Sequence, residues 1–582
     1  MKGFFALLAA ALAAMPCFAG EFEIADDAIN GKVSVVNVPW TFESKKIDWL
    51  FNPTVERGPF NPEWTWQLNR MYFWRDIARA YRVTKDGKYA KAFASQLESW
   101  LDRTGGVPPD TGYNAVGSPW RTIEEGIRLM STWADCHETF KDSPFFPKPL
   151  QERFVASMRA QANHLMKHKT GNNWLLMEMN GVHSFACMFP GFPESEKLRR
   201  ESARIFSEAI SKQVLKDGFH FELSPDYHTV YFSCAIGLYK RAKKYGFENE
   251  IPSSFREMLE RSAEAMVLMA TPDFSMPRFN DCFTMRLEKI LKQAVEVFPE
   301  RKDFLWGFTN GKEGVPPPAS KASFAMPYSG FAIMRTGWEK DAMYMAFDFG
   351  PLGQGHYHQD KLSFTLWKGD RELVFDDGGG QYEHSPFRTY GQSGYDHNVM
   401  LVDSLVQNRK GPYVLKEPAK FEWESNEKFD RVKAVYDQGW GEKRLKLAVH
   451  EREIVFDKSG FVKIFDNAVS ADGKDHVYEL LFHVDTLDTE ISKDGREIVA
   501  KFDGKWNLKI IVEEGGTIST ASAQKTPRLA GWYVGRNDKT LHPATTIMVK
   551  SPCVKNNKFV TRLEPVASGL EDGFTKKKES IK

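Results

Sequence analysis

The chain has 582 residues, with 78 Lys and Arg against 77 Asp and Glu, a formal net charge of +1. That balance excludes a whole-surface pull towards nucleic acid, so an anionic ligand must be held by a local basic groove. With 42% hydrophobic and 13% aromatic residues, the length supports two or three domains with large cores.

The first 19 residues read as a secretory signal: Lys2, an apolar run, and small residues ending at Ala19. Cleavage after Ala19 predicts a periplasmic or secreted protein. Cys17 invites a lipoprotein reading, but Pro16 before it fits lipid attachment poorly. No later stretch reaches the run of about 20 apolar residues needed for a membrane span. The five remaining cysteines, Cys136, Cys187, Cys234, Cys282 and Cys553, are odd in number and widely spaced. They read as buried small apolar residues rather than a disulfide framework.

From about Trp64 to Lys292 the apolar spacing is helical. Trp64, Leu68, Met71, Tyr72, Arg75 and Ala78 predict one helix face, and Ala92 to Leu101 a second. Further helices are expected over Ile123 to Phe140, Leu150 to His168, Trp174 to Phe189, Lys197 to Leu215, Tyr227 to Tyr245 and Phe255 to Ala270. Many helices of similar length with short linkers suggest an α/α toroid, favoured over a solenoid because no fixed-length repeat is present. This assigns 20–325 to a helical domain.

Two helical stretches carry unusual polar residues. In TGNNWLLMEMNG, Asn172 and Asn173 stand at a helix start, where one serves as N-cap and the other is left to face a cleft. Glu178 is placed to orient Asn173 or a nearby cation. In DGFHFELSPDYHTVYF, Ser224-Pro225-Asp226 predicts a helix start that puts Tyr227 and His228 in the first turn. The positive end of a helix favours a phenolate, one route to a tyrosine base. The alternative is an ordinary core tyrosine.

Beyond the Pro-rich stretch 314–327 come short alternating runs punctuated by Gly, Asp and Asn, from FAIMRTG to LKIIVEEG. They predict antiparallel strands, and 326–582 is read as an antiparallel β-sandwich. Near its start lies GQGHYHQDKLSF. If extended, this segment presents His356, His358 and Asp360 on one face. Two readings stand: a hydrogen-bonded polar cluster at a sheet edge, or an N/O metal site drawing on His358, Asp376 and His397.

NPTVERGPFNPEWTWQLNRMYFW, SPWRTIEEGIRL, GNNWLLMEMNG, DGFHFELSPDYH and GQGHYHQDKLSF together resemble the heparinase II/III superfamily of polysaccharide lyases, in order along nearly the whole chain. The resemblance implies an incomplete (α/α) toroid followed by an antiparallel β-sandwich, an α+β multidomain protein. It further implies β-elimination at a uronic acid, with Asn173 neutralising the carboxylate, Tyr227 exchanging protons with the sugar and His356 completing the site, able to fill either half of the exchange. His358, Asp376 and His397 match positions that hold a structural divalent metal, zinc first, with calcium or manganese as alternatives. Tyr382 and Arg388 match a substrate loop, and Glu178 and His228 are taken as further substrate contacts.

The implied partner is an anionic polysaccharide, with no nucleic acid, and the oligomeric state is left open. Trp174 replaces the His found after the catalytic Asn in many alginate-cleaving relatives, which points to a glycosaminoglycan such as heparan sulfate rather than alginate. Arg70, Arg121, Arg128, Lys167 and Lys169 are candidates for sulfate contacts. Two other readings are a toroid glycoside hydrolase using Glu222 and Asp226, and a binding protein that has lost activity.

Overall fold

The computed structural model describes residues 22–112, 117–379, 385–536 and 540–569. The expected signal segment 1–19 and Tyr382 lie outside them. Helices dominate as far as Lys302–Phe308, and strands dominate from Phe324–Met326 onwards. Compact packing divides the chain elsewhere, between Ser202 and Ala203 rather than at the expected 325/326. The reason lies in the segment around residue 280, which bonds to the sheet region: Asp281 N–H donates to His356 O (3.0 Å), and Cys282 N–H to Gly378 O (3.3 Å).

In the first unit, the single helix expected from Trp64 to Ala78 is two, Glu63–Leu68 and Phe73–Thr84. Met71 between them has φ 56, a left-handed turn that an L-residue helix cannot continue through. The helices Thr122–Ile127 and Asn172–Met188 pack at two glycines. A Cβ on Gly181 would lie 2.7 Å from the Gly126 carbonyl oxygen, so the close approach requires glycine there. This contact fixes the helix that carries Asn173.

In the second unit, the helix Pro225–Lys244 begins as the sequence predicts. Ser224 is its N-cap and accepts from Tyr227 N–H at 3.4 Å. His228, one residue on, turns inward. It stacks on Phe219 with ring centroids 4.4 Å apart, accepts from His220 N–H and donates from Nε2 to Ser262 O (3.1 Å).

Three larger antiparallel sheets follow, with a two-stranded one formed by Trp532–Val534 and Leu541–Pro543. An eight-stranded sheet is ordered from Thr489–Ile491 through Asn556–Ala567, Phe461–Ser470 and Ala448–Asp457 to Glu422–Ser425. A four-stranded sheet contains His476–Val484 and Met400–Val402, and a five-stranded sheet runs from Phe324–Met326 to Arg371–Val374. Side chains on Ala448–Asp457 alternate strictly between buried and half-buried, the period of a strand with one face in a core. One apolar core joins all three sheets, with Met345 and Phe364 from the five-stranded, Leu480 and Ile547 from the four-stranded, and Ile454 and Ile464 from the eight-stranded sheet. Of the cysteines, four are buried as expected, while Cys553 is exposed. No helix among the described residues is long and apolar enough to cross a membrane.

A buried arginine ties this sandwich to the loops above it. Arg452 donates from Nε to Asp466 (2.7 Å) and from Nη1 to the carbonyls of Leu362 (2.6 Å) and Asn398 (2.5 Å). Removing it leaves the buried Asp466 carboxylate with His450 Nε2 (2.6 Å) alone among these partners and takes a donor from two carbonyls, a change in the range of about 3–5 kcal/mol. Arg452→Ala is therefore expected to lower the unfolding free energy of the second unit by that amount in denaturant titrations. A loss under about 1 kcal/mol would show that water replaces the guanidinium.

Acid should act through His228, whose pKa burial lowers to about 4. The unfolded chain binds a proton near pH 6.5 that the native state refuses until about 4. Stability is thus full above 6.5 and falls by about 3 kcal/mol as pH drops from 6.5 to 4. His228→Gln should flatten that part of the pH profile measured by urea unfolding, and an unchanged slope would remove His228 as its source.

Candidate active site

The site in the second unit is assembled around a residue that the sequence reading passed over. Asp281, 6% exposed, accepts from His356 Nδ1 (3.1 Å), His358 Nε2 (2.9 Å) and Arg388 Nη2 (2.5 Å). Burial alone would raise its carboxyl pKa, but hydrogen bonds from both histidines and the nearby charge of Arg388 outweigh it and hold the group well below the usual range. Its neighbour Asn280 accepts from His358 N–H (2.9 Å) and donates to Leu223 O (3.0 Å), while Ser224 Oγ donates to Asp281 O (2.6 Å). Residues 280–281 thereby join the start of the Tyr227 helix to the histidine loop. The only sequence signal is an Asn-Asp pair set in the apolar surroundings of PRFNDCF.

The loop itself is not extended. Gly353, Gly355 and His356 have φ of 89, 93 and 58, and the expected strand gives way to consecutive left-handed turns. His356 and His358 consequently part. His356 is partly exposed and lies ring to ring with Tyr227, centroids 3.5 Å apart and planes 16° apart. His358 turns into the interior, fully buried.

The bond from Nδ1 to Asp281 sets the orientation of the His356 ring. Tyr227 stands at the third helical position, near the positive end of the dipole. The two rings are thus in contact, the imidazole held by the Asp281 carboxylate and the tyrosine helix by the Asp281 backbone oxygen through Ser224.

Behind them is a second cluster. His358, Asp360 and His397 each offer a ligand atom within 4.8 Å of the others'. In each, one atom is buried without a hydrogen-bond partner: His358 Nδ1, Asp360 Oδ2 and His397 Nε2. The expected set had Asp376 in place of Asp360. Asp376 instead accepts from His397 Nδ1 (3.0 Å) and from Ser363 Oγ, and so fixes the ring that presents Nε2. Asp360 is fixed in turn by Arg409 Nη2 (2.8 Å). Two imidazole nitrogens and a carboxylate oxygen, each backed by a hydrogen-bonded partner, suit a divalent cation such as zinc.

In the first unit, Asn173 is 4% exposed and lies in the first turn of Asn172–Met188. The N-cap is Gly171 rather than an asparagine, and Asn172 itself has φ 52. Glu178 is wholly buried, and its oxygens accept from Thr170 N–H and Oγ1, both at 2.8 Å. It braces the loop entering the helix and has no face for substrate.

His228, fully buried, is likewise no substrate contact. Arg388 belongs to the site through Asp281, with Nη1 donating to Gly379 O (3.0 Å). Among the proposed sulfate contacts, Arg128 is buried and spent on Gln161, Asn69 O and Pro119 O. Arg70 and Arg121 both hold the buried Glu124, and Arg121 also lies over Trp66, 3.7 Å from the ring centroid, and Trp174, 5.2 Å away. Lys167 pairs with Asp110 (2.5 Å), and Lys169 donates to Met166 O.

Comparison with known proteins matches this arrangement to one family. The pattern of the heparinase II/III N-terminus covers residues 10–306, and that of the heparinase II/III-like C-terminal region covers 318–562. A heparin-sulfate lyase of Pedobacter heparinus is 26% identical over 435 residues, 73% of this chain and 62% of that protein. The chain thus spans under two thirds of that relative's length. A heparin-sulfate lyase of Bacteroides stercoris is 25% identical over 510 residues, 83% of this chain and 74% of that protein. The crystal structure of a heparinase III superposes with a TM-score of 0.79 at 20% identity, covering 94% of this chain and 85% of that one, which establishes a shared fold. With its N-terminal pattern alone spanning just over half the residues, the chain belongs to the heparinase II/III family.

Proposed function

We propose that this protein is a polysaccharide lyase that cleaves a glycosaminoglycan of the heparan sulfate type by β-elimination. The observation that carries the reading is the Tyr227–His356 stack clamped through Asp281, in a chain whose relatives are named heparin-sulfate lyases. The C5 proton of a uronate is too weakly acidic to leave unless charge on the adjacent carboxylate is stabilised. Asn173 is assigned that stabilisation through its side-chain amide.

Tyr227 and His356 then share the proton traffic. The C5–H bond breaks, its electrons form the C4–C5 double bond, and the C4–O bond breaks as the leaving oxygen takes up a proton. Asp281 holds the His356 ring in place beside Tyr227, and the division of acid and base roles between the two is left open. Trp174 in place of His after Asn173 favours a glycosaminoglycan over alginate. The leader-like segment 1–19 supports export to the periplasm or beyond.

His358, Asp360 and His397 would hold a divalent metal, with zinc the best match to two imidazoles and a carboxylate. When bound, the cation neutralises buried charge and braces the loop that presents His356. Arg388 is assigned a supporting place through Asp281.

Purified protein incubated separately with heparan sulfate, heparin, hyaluronan, chondroitin and alginate should release products absorbing in the ultraviolet as conjugated unsaturated uronates, most strongly from heparan sulfate. Tyr227→Phe should cut turnover by at least about 10³-fold while leaving melting temperature and polymer binding near wild type. Chain cleavage without ultraviolet absorbance would sink the elimination reading, and an active Tyr227→Phe protein would remove the tyrosine from proton transfer.

Elemental analysis should find one divalent cation per chain, lost in His358→Ala. Chelation should lower the melting temperature together with activity, because binding energy of this kind is shared with folding. A chelator-treated protein with no bound metal and an unchanged melting temperature would refute the structural cation.

A further inference from the structure

The stretch 407–413 is fastened along the histidine loop over its whole length. Gln407 Nε2 donates to Lys361 O (2.7 Å), Arg409 N–H to Gln359 Oε1 (2.6 Å), and Arg409 Nη2 to His358 O (3.1 Å). In return, Leu352 N–H donates to Pro412 O (2.8 Å) and Gly353 N–H to Tyr413 O (2.9 Å). An arm pinned at both ends to the loop of His356 presents its side chains with little freedom.

At its tip stands Tyr413, 40% exposed, with its ring 5.8 Å from that of Tyr357 at 51°. Tyr357 directly follows His356, so their Cα atoms are about 3.8 Å apart. A large aromatic left in water is commonplace on a surface. A tilted pair of tyrosines on a rigid arm, one of them next in sequence to His356, is a more specific feature. Lys410 is exposed on the arm and Lys416 is exposed three residues beyond Tyr413, and among the described residues neither has an ion-pair partner. Aromatic faces within three residues of exposed ammonium groups match one ligand chemistry well: sugar rings, with C–H faces that stack on aromatics and anionic substituents that pair with cations.

We infer that Tyr357 and Tyr413 form a stacking platform for a sugar ring next to the one that reacts at His356, in an acidic polysaccharide whose anionic groups are met by Lys410 and Lys416. The inference rests on the lyase reading above. The platform binds substrate without touching the reacting atoms, so it should govern KM rather than kcat.

The test uses the full chain and heparan sulfate polymer. Tyr413→Ala is expected to raise KM about ten-fold with kcat little changed, whereas Tyr413→Phe, which keeps the ring, stays near wild type. Lys410→Ala/Lys416→Ala, a surface change that leaves the rings in place, should raise KM at low salt and flatten its salt dependence. A folded Tyr413→Ala protein with wild-type KM would overturn the platform while the lyase reading stood. So would a Tyr413→Phe protein as impaired as the alanine variant, since that would assign the effect to the hydroxyl. A wild-type protein that neither binds nor cleaves heparan sulfate or any other uronate polymer would overturn both.

Discussion

The carboxylate of Asp281 is the constraint on which the site in the second unit depends. It is nearly buried and must be charged to accept from three donors at once, and burying an unpaired charge is prohibitive. The fold meets that demand with His356, His358 and Arg388. Because all three share one acceptor, none of them can shift without loosening the others. Two bonds from residues 280–281 to Leu223 and Ser224 then carry the same rigidity to the helix of Tyr227. A stack between an imidazole and a phenol that come from distant parts of the sequence is thereby fixed by a side chain that belongs to neither.

Behind Asp281 the same device recurs. His397 is set by Asp376, Asp360 by Arg409, and the backbone of the loops by Arg452 and Asn398, the latter donating to Phe364 O and Phe375 O, both at 2.7 Å. His397 and Asp360, like His358, each have one polar atom hydrogen-bonded and another buried without a partner. Burial pushes the Asp376 carboxyl up against the pull of His397, because the charged form is costly away from water. The sandwich core supplies the rigid floor, since its strands fix Arg452, and Arg452 fixes the carbonyls of Leu362 and Asn398.

The sequence made the order of helices and strands readable because periodicity is a local property: one buried face repeats every 3.6 residues in a helix and every second residue in a strand. Ser224 as a cap and Tyr227 in the first turn followed from the same local rules. Where several left-handed residues came together, those rules failed. Met71 split a helix, and Gly353, Gly355 and His356 turned an expected strand into a loop. Polar residues at catalytic-looking positions were also ambiguous, since a Glu or His reads alike whether it faces substrate or the interior. Glu178 and His228 proved to be internal braces, satisfied by Thr170 and by His220 and Ser262 respectively.

Asp281 escaped the reading for a different reason. Its three partners lie 75, 77 and 107 positions away in sequence, and no local pattern marks a residue whose task is to receive bonds from elsewhere. The motif that is conspicuous, H-Y-H, is conspicuous because its two histidines differ in task, one towards Tyr227 and one towards the interior. A left-handed residue at position 356 separates those directions, whereas a regular strand would have aimed both the same way. The local irregularity that defeated prediction is thus the feature that lets one tripeptide serve the Tyr227 stack and the buried cluster at the same time, with Asp281 as the joint between them.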